Sequence, residues 1–203
     1  VSTVLRSKSR YLLAMTSTGS TNDKIIVWDF YNKAFSLYSG LNCSDMVEAF
    51  VNGTDERVYF SDYNGFTYRQ DITNSDNPLG AKTAIDGYYY TNWKTFDDLV
   101  NQKGAIEAII YYQLNSATLS FSYSWDFSNT DQYTSNFNTS GGQALWGSFI
   151  WGQALWAGTG GSFIRRDLDG RGRALRLKVS NNTIDETFRI DGFGILPHLE
   201  TNV

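Results

Sequence analysis

The stretch Leu119-Ser120-Phe121-Ser122-Tyr123-Ser124-Trp125-Asp126-Phe127 decides the fold class. Its large apolar side chains fall on every second residue and its small or polar ones fall between them, the period of a β-strand with one buried face. Burying each of the five contributes about 1.5–3 kcal/mol, and that gain requires a second layer opposite. A β-sandwich supplies such a layer. Further along, Leu175, Leu177 and Val179 alternate with Ala174, Arg176 and Lys178 and predict a second strand of the same kind. Residues 105–114 predict a third, with Ile106, Ala108, Ile110 and Tyr112 on one face. A fourth runs over 187–195, where Phe188 and Ile190 share a side.

Tyr88-Tyr89-Tyr90 begins a strand, 96–100 suits a helical turn, and 128–142 is polar and aperiodic, the pattern of a surface loop. Residues 72–87 have the Asp, Asn, Ser and Gly content of a connection, so we divide the chain there into 1–75 and 76–203.

The first part reads as short strands at 11–16, 24–30, 34–38, 46–51, 57–62 and 66–69, after an exposed or borrowed edge at 1–10. Asn64-Gly65 between aromatic strands is a hairpin signal. Ile26-Val27-Trp28 followed by Tyr31-Asn32 matches Val58-Tyr59-Phe60 followed by Tyr63-Asn64, an offset of 32 residues. Propeller blades produce such a period. Two blades close no ring, so either more of an incomplete propeller precedes residue 1 in a longer chain or the ribbons form an ordinary meander. The chain begins with Val, which suits a processed or partial polypeptide.

Between the strands of the second part lies GGQALWGSFIWGQALWAGTGGSFI, residues 141–164, in which Trp146, Trp151 and Trp156 recur every five residues. Five residues turn a helix by about 140° and change faces on a strand. Short extended pieces with Gly at the turns are therefore expected, each delivering one ring either to the core or to a neighbouring subunit.

Aromatics at 16%, 18 Gly and only 2 Pro favour strands and turns and hence an all-β chain. No apolar run is long enough for a membrane span, and the N-terminus has no signal-peptide pattern. The single Cys, Cys43, excludes an internal disulfide and reads as a small packed side chain. Net charge is −4, yet residues 165–178 hold six basic and two acidic residues, so an anionic partner would be met locally. Arg165, Arg166, Arg171 and Arg173 are the candidates for contact with DNA phosphates or an acidic partner. The alternative is an Arg-rich turn and strand whose charges pair with acidic neighbours.

No catalytic set emerges, and neither a cofactor nor a metal is expected. His198 is the only histidine, which leaves a Ser-His-Asp or His-metal site without material. Asp167, Asp169 and Gly170 begin like a calcium loop but lack its later acidic ligand. Asp126 with Asp131, or Glu107 with Asp126, could form a glycosidase pair. The aromatic content would also suit a carbohydrate-binding face. Four Asn-x-Ser/Thr sequons, at Asn42, Asn52, Asn138 and Asn181, fall within chance for so Asn-rich a chain.

Three features in order resemble the tail hub, nozzle and packaged-DNA-stabilising proteins of short-tailed bacteriophages. They are the hairpins around Trp28 and Phe60, the Tyr90-Thr91 strand, and the Trp-Gly repeat followed by Gly172-Arg173-Ala174-Leu175-Arg176-Leu177 and Phe188-Arg189-Ile190-Asp191-Gly192-Phe193-Gly194. The resemblance covers residues 10–195 and implies propeller-type hairpins followed by a jelly-roll-like β-sandwich. It also implies a non-enzymatic virion protein, made in the host cytoplasm, that forms a homo-oligomeric ring with other tail proteins around passing DNA.

Overall fold

A computed structural model describes residues 1–70, 73–77, 80–139 and 162–198, with the side chains of Ile106, Ser162, Pro197 and His198 outside that description. The described residues are all-β, with fifteen strands and one 3-10 turn over Arg6–Lys8. The chain divides into two units, Val1–Ile72 and Thr73–Val203.

In the first unit β1 (Ser2–Leu5), β2 (Arg10–Met15), β3 (Lys24–Asp29) and β4 (Ala34–Ser39) form an antiparallel meander in chain order. β5 (Asp45–Val51), β6 (Asp55–Ser61) and β7 (Thr67–Arg69) form a second. One face of each is apolar by alternation, and these faces share a core of Leu5, Leu12, Ala14, Ile25, Val27, Cys43, Met46, Val58 and Phe60. Cys43 is fully buried there, and burial pushes its thiol pKa up.

The repeat at offset 32 has a structural counterpart. The equivalent residues are Asn32 and Asn64: Asp29 Oδ1 accepts the backbone N–H of Asn32 in the β3–β4 turn, and Asp62 Oδ1, 33 residues on from Asp29, accepts those of Asn64 and Phe66 in the longer β6–β7 turn. Lys33 at φ 51° and Gly65 at φ 88° hold the same left-handed position, 32 residues apart. Asn64-Gly65 therefore lies in a hairpin, but in a five-residue connection between Ser61 and Thr67 rather than a two-residue turn. The Asp62 carboxylate satisfies the donors that the longer connection frees.

The second unit has two sheets around one core. One runs β11 (Tyr133–Asn138), β10 (Thr118–Trp125), β14 (Leu175–Asn181), β8 (Gly87–Tyr90). In the other, β9 (Lys103–Tyr112) pairs with β12 (Ser162–Asp167), β13 (Arg171–Gly172) and β15 (Ile190–His198). β15 is bulged at Leu196/Pro197, where proline has no N–H for the ladder. Leu119, Phe121, Tyr123 and Trp125 of β10 and Leu175, Leu177 and Val179 of β14 meet Ala108, Ile110 and Tyr112 of β9.

Three expectations need correction. The 119–127 strand stops at Trp125, because Asp126 (φ 56°) and Phe127 (φ 59°) turn left-handed and Phe127 emerges half-exposed. Residues 96–100 form no helical turn, since Phe96 (φ 53°) and Asp97 (φ 61°) are also left-handed. Finally, 133–138 is not loop but the edge strand β11, which sends only Phe137 into the core and so carries no apolar alternation.

Candidate functional site

The Trp repeat with Trp146, Trp151 and Trp156 lies outside the described residues, as does the His198 side chain. The basic stretch is described, and strand geometry spreads it over several faces. Arg165 and Arg166 are consecutive on β12 and point to opposite sides. Arg165 is exposed and pairs with Glu107 at 3.2 Å. Arg166 lies over the Phe137 ring at 5.7 Å and donates to the Asn136 carbonyl. Arg171 and Arg173 are exposed beyond them, and the Arg173 backbone N–H donates to Asp126. The turn at 167–170 is tied to β10: the Asp169 N–H donates to the Tyr123 hydroxyl, the Trp125 indole donates to the Asp169 carbonyl, and Leu168 is buried. Among the described residues, no group of three or more His, Cys, Asp or Glu could hold a metal.

Arg176 and Lys178, which belong to the basic stretch but are not among its four candidate contacts, organise the most distinctive surface. On β14 they alternate with Leu177 and Val179, which face the core, so both point outward. Antiparallel pairing brings Lys178 opposite Tyr90 and Ser180 opposite Tyr88. The Arg176 guanidinium lies 4.4 Å from the Tyr90 ring and 4.6 Å from the Trp93 ring. Lys178 Nζ lies 5.1 Å from Tyr90 and 5.8 Å from Tyr88. Phe127, expelled from the core, packs on Trp93 at 5.0 Å. Phe127, Trp93, Arg176, Tyr90, Lys178 and Tyr88 thus form a strip of alternating rings and cations. Both cations are also anchored to the loop after β10: Arg176 donates to the Ser128 carbonyl and Lys178 to Asp131 at 2.8 Å. That bond to Asp131 is the main cause of a raised Lys178 pKa, with desolvation opposing it.

Trp93 also borders an open cleft of about 470 Å³ in the same unit, together with Lys94, Phe96, Asp97, Phe193 and Ile195. The left-handed pair Phe96-Asp97 turns both side chains to this cleft, where rings and two opposite charges converge. The loop behind it is built around Lys103, which is 2% exposed and donates to the carbonyls of Asp98 and Asn101. The Asp98 carboxyl pKa is lowered to about 2, first by the Asn101 side-chain amide, then by the N–H groups of Val100 and Asn101.

Glu107 and Asp131 are each paired with a cation, and Asp126 accepts a backbone N–H. The strip and the cleft were not singled out from the sequence. The usable signal was Tyr88 and Tyr90 on one strand and Arg176 and Lys178 on another, both with period two, but their register was not legible. A further surface is the side of the β1–β4 sheet facing away from its core, where Tyr11, Leu13, Ile26, Trp28, Phe35 and Leu37 stand side by side. Comparison with known proteins yields no matching family model and no matching curated protein.

Proposed function

We propose that the chain is a non-enzymatic structural subunit of a phage tail, in a hub, nozzle or head-to-tail connection. In this reading the first unit is the propeller-type part and the second a jelly-roll-like sandwich. The subunit forms a homo-oligomeric ring with other tail proteins and serves as conduit or seal for DNA. The observation that carries the reading is the repeated hairpin with its Asp-anchored turn, followed in the chain by a two-sheet unit, the order that the resemblance implies. Trp146, Trp151 and Trp156 are the candidate subunit contacts, and Arg165, Arg166, Arg171 and Arg173 the candidate contacts to DNA phosphates.

Native mass spectrometry tests the oligomer, and a monomer at all concentrations would remove it. Each Trp→Ala variant should lower ring assembly more than monomer folding. Replacing Arg165, Arg166 and Arg171 with Ser should lower DNA retention most at low salt, and unchanged retention would remove the conduit role.

A second reading, a carbohydrate-binding face, is favoured by the strip of Tyr88, Tyr90, Trp93 and Phe127 beside the cleft. A glycan array decides between the two: glycan binding by a monomer, lost in Trp93→Ala, supports this reading over the tail subunit.

A further inference from the structure

In the first unit the two sheets stack directionally, and the repeat defines the direction. At offset 32, Ile26 and Trp28 correspond to Val58 and Phe60, whereas Val27 corresponds to Tyr59. The core joins the Leu12, Ala14, Ile25 and Val27 face of the β1–β4 sheet to the Met46, Val58 and Phe60 face of the β5–β7 sheet. The joined faces are therefore not equivalent ones. The face of the β1–β4 sheet equivalent to the buried Val58 and Phe60 face is the outer one, with Ile26 and Trp28.

Ring pairs make the same point. Phe60 pairs with Tyr68 across β6–β7 with centroids 5.3 Å apart, and both pack against the core. The equivalent pair, Trp28 with Phe35 across β3–β4, has centroids 4.3 Å apart, yet Phe35 is 73% exposed and Leu37 beside it 54%. At the opposite end, Val47 and Tyr59 pair on the outer face of the β5–β7 sheet, and Val47 is 58% exposed. By register, Val47 and Tyr59 correspond to Leu12 and Val27, which in the β1–β4 sheet are buried. One sheet end of the unit carries the outer version of a buried face, and the other end carries the outer version of that face's partner.

We infer that the face bearing Tyr11, Trp28 and Phe35 docks the Val47 and Tyr59 face of a second copy of this chain, so that copies stack head to tail. The contact continues the intrachain stacking of the first unit, and such a heterologous contact generates rings or filaments. The inference deepens the oligomer proposed above and rests on it only for the expectation that copies associate. The smaller of the two faces, the three-stranded β5–β7 sheet with its short β7, limits the contact to roughly 300 Å² per partner at a strand spacing of about 4.8 Å. That is well under half of what a standard interface buries per partner. One contact alone is therefore weak, and closure of a ring strengthens it.

The test is sedimentation velocity over a wide concentration range on the parent chain, on Phe35→Asp, on Val47→Asp and on their mixture. Both positions are solvent-exposed, and circular dichroism checks the fold; Leu37→Ser is the milder replacement if Phe35→Asp does not fold. The parent should self-associate, each variant alone should bind about 30-fold or more weakly, and the mixture should form one-to-one dimers, because each variant retains the face that the other lacks. A monomeric parent overturns both the inference and the oligomer proposal. Self-association unchanged in Phe35→Asp and Val47→Asp overturns the inference and leaves the ring reading standing. Loss in Phe35→Asp alone, with no complementation, means that like faces meet and overturns head-to-tail stacking.

Discussion

Replacing Lys103 with Met should destabilise the second unit by about 2–3 kcal/mol. The side chain is 2% exposed, and its ammonium donates to two carbonyls, Asp98 and Asn101, with the Asp98 carboxylate 3.6 Å away. A hydrogen bond from a charged donor contributes about 1.5–3 kcal/mol. Two such bonds would double that, but Asn101 is an exposed residue, and its carbonyl recruits water once the ammonium is gone. Met fills the space of the alkyl stem, so no cavity term is added. The loss is thus about one charged hydrogen bond, or roughly 6–12 °C in the melting temperature of a unit this size. Thermal and urea unfolding followed by near-ultraviolet circular dichroism measure it. Lys94→Met, at an exposed position, is the control and should stay within about 0.5 kcal/mol of the parent. If Lys103→Met is equally silent, the ammonium does not organise the loop at Asp98 and Asn101.

Other outcomes follow from the same geometry. Gly65→Ala should cost about 0.5–1 kcal/mol and Lys33→Gly should be neutral or stabilising by up to about 1 kcal/mol, since both occupy the left-handed position; equal signs in chemical denaturation would refute the equivalence of the two turns. Phe121→Ala should cost about 3–5 kcal/mol and Phe127→Ala less than about 1 kcal/mol, because only the former is in the core. A methyl group at Gly172 would lie 2.8 Å from Asp126 Oδ1 and 3.0 Å from Trp125 Cβ, so Gly172→Ala should cost about 1–3 kcal/mol and shift the tryptophan emission. Asn101→Ala should raise the Asp98 carboxyl from about 2 toward its ordinary 3.8, measurable by NMR titration. Because this pKa is lowered in the folded state, its stabilisation is present above about pH 4 and disappears as pH falls through about 2, and the variant should lose it at higher pH.

Period-two patterns carried most of the fold. Leu119 to Trp125 and Leu175 to Val179 were readable because one face of each is buried almost completely, and the repeat at Trp28 and Phe60 was readable because its turns recur with its strands. What escaped reading depends on backbone angles and register. Nothing in Trp125-Asp126-Phe127 announces two consecutive left-handed residues, so alternation alone places Phe127 in the core that it leaves. β11 escaped because an edge strand beside β10 needs only one apolar contact, Phe137. The candidate site was less legible still. The basic stretch was visible as composition, but alternation sends Arg165 and Arg166 to opposite sides, and it is Arg176 and Lys178 that join rings from residues 88–93, far away in sequence.

The carboxylate at the base of each hairpin has one more implication. The β3–β4 connection spans four residues and the β6–β7 connection five, yet both strand pairs keep an unbroken register. An Asp that clasps the first free N–H groups absorbs the additional residue locally, without passing a slip into the ladder. The hairpin tips are thus the positions where this scaffold accommodates a grafted peptide, since length added beyond Asp29 or Asp62 leaves the strands below them aligned.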